Sequence, residues 1–188
     1  MKHLRAVLFL TVSTLLACCV IYPSALLGIG RLFTPHTASG RILYDRGQAV
    51  GSEIIAQNFT RNEYFWPRPS AVDYNAAGSG GSNLSPTNPE LRKRVQAAIV
   101  KYGATATNPL PADLATASGS GLDPEISLAA AKYQAARVAT ARHLPTAIVS
   151  ALIDRHTNGN GELWRPSPSV NVLKLNLELD RLTGGGVK

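Results

Sequence analysis

The sequence predicts an α+β protein: a single N-terminal transmembrane helix followed by one compact mixed soluble domain with long ordered loops. Three observations carry that expectation. Residues 6–30 are an unbroken apolar run between a basic start (Lys2, Arg5) and Arg31. The roughly 157 residues that follow suit one domain with a sizeable core. Within them, helix- and strand-like periodicities are separated by stretches rich in Gly, Pro and Ser.

The apolar run comes first. About 23 helical residues at ~1.5 Å each span ~35 Å, enough to cross a hydrocarbon layer of ~30 Å. Lys2, Arg5 and the amino terminus resist translocation. The charge pattern therefore puts residues 1–5 in the cytoplasm, 6–30 in the membrane and 31–188 outside the cytoplasm, with Arg31 weakening that bias without reversing it. Leu15-Leu16-Ala17-Cys18 resembles a lipoprotein cleavage box, but apolar character continues to Ile29, which favours an uncleaved anchor. Ser24 and Gly28 form a small-xxx-small pair of the kind that lets membrane helices approach closely; contact with lipid alone is the other reading.

After a tether from Leu32 to Gly40, Ile42–Asp45 reads as a strand and Arg46-Gly47 as a turn. Gln48–Phe59 reads as a second strand or short helix. Tyr64-Phe65-Trp66-Pro67-Arg68-Pro69, with Tyr74-Asn75, predicts an ordered loop anchored by aromatics, since its prolines break helix. The aromatics are expected to be core anchors, with contact to a partner as the other reading. Residues 77–85 must be loop. Asn88-Pro89-Glu90 starts a helix that Gly103 ends. A second loop covers 105–122. Asp123-Pro124-Glu125 is read as opening a helical stretch, re-capped at Ser127 and running to about His143. Another helix starts at Pro145 or Thr146 and ends at Asn158-Gly159-Asn160-Gly161. In the tail, 170–182, leucines alternate as in a strand, yet most residues are helix formers and Asn171 can cap, so helix is preferred.

Composition narrows function. The net charge is +7, of which Lys2, Arg5 and Arg31 supply three, leaving +4 scattered over the soluble part. Arg92-Lys93-Arg94 is a short run on a helix, without the stacking aromatics of a nucleic-acid surface. Both cysteines, Cys18 and Cys19, lie in the apolar run, so the soluble domain needs no disulfide framework. Neither a phosphate loop nor a GxSxG elbow, SxxK pair, CxxC or HExxH occurs. Asp154 and His156 could share a site, but solvated polar residues at a helix end are the plainer reading. The pattern fits an accessory or binding subunit better than a catalyst, and no cofactor is expected in this chain.

The loops then become recognisable. Gly51-Ser52-Glu53-Ile54-Ile55-Ala56-Gln57, Tyr64-Phe65 with Arg68-Pro69-Ser70-Ala71, and Ser79-Gly80-Gly81-Ser82-Asn83-Leu84 follow one another in order. So do Ala117-Ser118-Gly119-Ser120-Gly121-Leu122-Asp123-Pro124, Tyr133-Gln134 and Val170-Asn171-Val172-Leu173. These blocks resemble the C subunit of the Kdp-type potassium-transporting ATPase, collinearly and over nearly the whole chain. The resemblance implies a non-catalytic accessory subunit of a bacterial inner-membrane complex that takes up potassium at the expense of ATP. Its partners would be a channel-like subunit that selects the ion and a P-type ATPase subunit that is phosphorylated; ATP and potassium are then handled by the complex. Such subunits assemble the complex and are described as catalytic chaperones that raise the affinity for ATP. The resemblance offers Gln134 for nucleotide contact, although a polar position on an amphipathic helix is the plainer reading. An extracytoplasmic domain would meet little ATP, which favours an indirect effect. Tyr64, Phe65, Arg68, Asn83 and Asp123 mark loops expected to serve core or interface. The class left as the alternative is a membrane-anchored periplasmic hydrolase or cell-envelope binding protein.

Overall fold

The structure is a computed structural model that describes residues 2–159 and 167–184. It divides into two units, Met1–Ile42 and Leu43–Lys188.

The first unit is dominated by one apolar helix, His3–Phe33, long enough to cross a membrane and with none of that span buried within the chain. At ~1.5 Å per residue its 31 residues cover ~45 Å, more than the 6–30 segment alone. It is built from α1 (Lys2–Leu15), a π-helical stretch (Leu16–Ile21) and α2 (Tyr22–Phe33), with Pro23 in the first turn of α2. One further turn, α3 (Pro35–Ala38), forms where a tether was expected.

The second unit begins within β1 (Ile42–Asp45), which forms a hairpin with β2 (Gln48–Ser52). Both turn residues have positive φ, 48° at Arg46 and 80° at Gly47, the mirror-image turn whose twist suits a two-residue hairpin. Beyond Ser52 the chain is irregular through Thr87. Helix α4 (Pro89–Tyr102) begins where the sequence predicts: the Asn88 side chain accepts from Glu90 N, and Gly103 closes the helix at φ 62°. A single turn, α5 (Ala112–Ala115), interrupts the expected loop and buries Leu114.

The stretch expected to begin a helix at Asp123 instead holds β3 (Glu125–Ser127). Its partner is β5 (Ser169–Asn171), with Ile126 opposite Val170, and β5 also pairs with β4 (Thr157–Asn158). Local helix propensity at 123–127 thus yields to a long-range antiparallel ladder. Ser127 does cap, its side chain accepting from Ala130 N at the start of α6 (Leu128–Ala141). Helix α7 (Thr146–Arg155) follows and ends before β4; Asn160 and Gly161, also read as its terminator, lie outside the described residues. The tail is helical: α8 (Val172–Thr183) starts at Asn171, whose side chain accepts from Lys174 N. Its leucines do not alternate between two faces. Leu173, Leu175, Leu177 and Leu179 are all buried, because the helix has protein on more than one side.

The core gathers on the sheet and the three C-terminal helices. Ile126, Val138, Ile153, Val170, Leu175 and Leu179 are each at most 1% exposed.

Candidate functional site

Residues 65–70 form neither helix nor strand, yet they are the most heavily braced part of the domain. Tyr64, Phe65 and Trp66 are 3%, 0% and 6% exposed. A chain segment buried without secondary structure must find partners for every backbone N–H and C=O. Here side-chain amides supply them. Phe65 N donates to Asn176 Oδ1 at 2.8 Å, and Asn176 Nδ2 donates back to Phe65 O at 3.0 Å. Trp66 N donates to Gln134 Oε1 at 2.9 Å, and Gln134 Nε2 donates to Trp66 O at 3.1 Å. Each amide copies the paired bonds of an antiparallel ladder. Successive residues are held by different helices, Phe65 by α8 and Trp66 by α6.

Two arginines complete the bracing. Arg137 donates from Nη1 to Asn62 O (2.6 Å) and from Nη2 to Tyr64 O (3.1 Å) and Gln134 Oε1 (2.7 Å). Arg142 Nε donates to Glu63 O at 2.6 Å, while its Nη2 meets Asp180 Oδ1 at 2.6 Å. The other Asp180 oxygen accepts from the Tyr64 hydroxyl at 3.0 Å. Burial, then the Asp180 charge, raises the Tyr64 pKa. The Arg142–Asp180 pair is itself closed off, both side chains being 5% exposed.

The Trp66 ring carries two cations: the Arg137 guanidinium carbon lies 3.7 Å from its centre and the Lys101 ammonium 4.4 Å. Tyr102 meets it edge to face at 5.3 Å. Burial pushes Arg137 down to about 10, and burial followed by the Arg137 charge lowers Lys101. Over this cluster runs a groove of about 610 Å³, with Trp66, Tyr74, Arg94, Lys101 and Tyr102 among its walls.

The two glycine-rich loops meet each other. Gly80 N and the Ser79 hydroxyl both donate to Ser120 O, at 2.8 and 3.0 Å. Gly121 has φ 68°, and a Cβ there would stand 2.8 Å from Gly80 O. Only glycine lets the backbones come this close. Ser118 N donates to Pro69 O (3.0 Å), and Arg68 Nη1 meets Asp123 Oδ2 (3.0 Å), tying this pair of loops to the aromatic one.

A profile of the family described as K+-transporting ATPase, c chain, matches residues 4–181. The chain belongs to the KdpC family. It is 50% identical to the potassium-transporting ATPase KdpC subunit of Parvibaculum lavamentivorans over 187 residues, 99% of this chain and 100% of that one. The KdpC subunit of Methylibium petroleiphilum is 50% identical over 183 residues (94% and 96% of the two chains), and that of Serratia proteamaculans 47% over 188 (97% and 100%).

For this KdpC chain, the structure ties Gln134 to Trp66, Phe65 to Asn176 and Tyr64 to Asp180, and it brings Arg68 to Asp123. Asn83 stays apart, exposed and at φ 51°. Ser24 and Gly28 lie in the first unit, exposed along the apolar helix. Gln134 is 1% exposed and both ends of its amide are bonded to Trp66, so in this conformation it offers no atom to a nucleotide. Asp154 pairs with Lys132 at 3.0 Å. Among the described residues no group of three or more His, Cys, Asp or Glu could hold a metal.

Sequence reasoning gave no role to Asn176, Asp180 or Arg142. The first two do carry a signal: polar residues four apart on a helix share a face, and here each directly follows a leucine. Leucine in place of Gln134 keeps the volume but strands the Trp66 N–H and C=O. At ~1–3 kcal/mol for each unmet buried group, Gln134→Leu is expected to cost about 2–4 kcal/mol. Thermal unfolding monitored by circular dichroism checks this, and an unchanged midpoint would show that the amide clamp contributes nothing.

Proposed function

We propose that this chain is the C subunit of a potassium-transporting ATPase complex, an accessory part without chemistry of its own. Its partners are a channel-like potassium-translocating subunit and a P-type ATPase subunit. The observation that carries this reading is the collinear KdpC match across residues 4–181. The helix from His3 to Phe33 holds it in the bacterial inner membrane, and the positive charges at Lys2 and Arg5 favour a cytoplasmic N-terminus with the folded unit outside. There the domain assembles and steadies the complex. The cross-braced loops suit that task, because a segment buried and fixed by two helices keeps the domain's shape the same whatever state the moving subunits occupy. The rise in ATP affinity associated with such subunits is then transmitted through the assembly.

Co-expression with the two large subunits tests the proposal. A tag on this chain should recover all three, and potassium-stimulated ATP hydrolysis should fall sharply when the chain is left out. Purified alone, it should hydrolyse neither ATP nor simple esters. Activity or ligand binding by the isolated chain would favour an envelope hydrolase or binding protein instead. Protease protection in intact spheroplasts reads the orientation directly. The anchor is tested by Ser24→Leu with Gly28→Leu. A Cβ at Gly28 meets nothing within 4 Å in this chain, so loss of recovery would report a partner helix held away by the added bulk. Normal recovery would make the anchor a tether only.

A further inference from the structure

The middle of the apolar helix departs from α-helical geometry. In the π-turn at Leu16–Ile21, Tyr22 N donates to Ala17 O, five residues back. The next carbonyl in that pattern, Cys18 O, would take its hydrogen from residue 23, and Pro23 has none. In α-helical register Pro23 would instead fail Cys19 O. Either way one carbonyl of the Cys18–Cys19 pair lacks a donor from its own helix. Single π-turns inside α-helices are frequent at functional sites.

Depth makes this consequential. Cys18 is the central residue of His3–Phe33, and of the 6–30 run as well. At the centre of a bilayer neither water nor acyl chains offer a hydrogen, so a freed backbone group there is met by a neighbouring helix, a side chain, a trapped water or a local 3₁₀ or π adjustment; here the π adjustment commits the Tyr22 N–H to Ala17 O and leaves Cys18 O facing Pro23. The chain buries none of this span itself.

We infer that the Cys18–Cys19 carbonyl is a docking point for a transmembrane helix of a partner subunit bearing a neutral hydrogen-bond donor (a hydroxyl, a carboxamide or an indole) at mid-bilayer. The inference rests on the proposed reading of the chain as a membrane-spanning subunit. The donor is neutral because charge at that depth is strongly disfavoured. A second copy of this chain fits poorly. In a parallel pair its Thr14 and Ser24 lie ~6 Å or more along the axis from Cys18–Cys19 and its Tyr22 ~4.5 Å, with the phenol oxygen carried a full ring away from the backbone, and thiols are weak donors. The small residues Ser24 and Gly28 on the following turns leave room for a neighbouring backbone.

The chain's two cysteines are these two residues, so supplying cysteine carrying 13C at its carbonyl carbon labels the site alone. The full-length labelled chain is placed in phosphatidylcholine bilayers, first alone and dilute, then assembled with unlabelled partner subunits. Solid-state NMR should show one of the two resonances at the unbonded position in the chain alone and moved downfield in the complex. In Pro23→Ala, which restores the N–H, neither resonance should change on assembly, and complex recovery should fall about threefold, the worth of an average interhelical hydrogen bond. Pro23→Gly restores the same N–H with different helix propensity and should give the same loss. Two carbonyls already bonded in the dilute chain, or a resonance unmoved by assembly, would overturn the proposal. So would a downfield shift produced merely by crowding the chain alone, which would assign the donor to a second copy. If the unaltered chain retains no partner in a tag pull-down, the subunit reading fails with it, and that result is distinct from the others.

Discussion

Asp180→Ala is expected to lower the folding stability of this KdpC-family domain by about 3–5 kcal/mol, the usual cost of removing one partner from a buried ion pair. Arg142 would keep its charge at 5% exposure with no carboxylate opposite, and the Tyr64 hydroxyl would lose its acceptor. A domain's whole stability is ~5–15 kcal/mol, so the variant should be largely unfolded at moderate temperature or recovered in low yield. The loss reflects a stranded charge rather than a strong attraction, and that can be separated. Asp180→Leu combined with Arg142→Met removes both charges and should regain much of the stability. Recovery should stay incomplete, because Arg142 also donates to Glu63 O and to the Thr183 hydroxyl at 2.9 Å. Denaturant midpoints of the two variants measure the difference. A double variant no better than Asp180→Ala would show that those neutral hydrogen bonds, not the charge, carry the effect.

Trp66→Ala is the second large expected loss. Truncating a buried large aromatic costs ~3–5 kcal/mol. This one also loses its indole bond to Arg61 O at 3.0 Å and the stacking of Arg137 and Lys101. At ~2–4 °C per kcal/mol for a domain of about this size, the melting temperature should fall by roughly 10 °C or more. Pull-down of the same variant with the large subunits gives the second readout. An unchanged melting temperature with lost association would move this residue from core to interface.

What the sequence made legible divides by distance along the chain. The Asn88 cap, the Gly103 terminator, the Ser127 cap and the Asn171 start of the last helix each depend on neighbours within four residues, and each was readable. The strand at Glu125–Ser127 was not. Its three residues take their conformation from Ser169–Asn171, more than forty positions away, and nothing local separates them from the helix they precede. The site follows the same rule. Tyr64-Phe65-Trp66 announces an anchored loop through its aromatics and prolines. That Gln134 and Asn176 hold Trp66 and Phe65 in matching fashion joins positions 68 and 111 residues apart. A buried glutamine clamp and a solvated helix glutamine look alike in one sequence. Asp180 carries only its spacing from Asn176, because the arginine it meets is 38 positions away.

The order in which the chain is made gives its last helix a further consequence. Val172–Thr183 brings four buried leucines, the amide that holds Phe65 and the carboxylate that neutralises Arg142, and β5, the central strand of its sheet, immediately precedes it. At ~5–20 residues per second, the roughly 130 residues from Ile42 to Asn171 take ~6–26 s to make. Until that stretch and the helix after it are made, the growing polypeptide lacks the pieces that close its core. The apolar helix His3–Phe33 can meet a bilayer while the residues behind it still lack a closed core. Closure of the domain thereby waits for Val172–Thr183, and a ribosome that stops before Asn171 leaves a product with no stable domain to display.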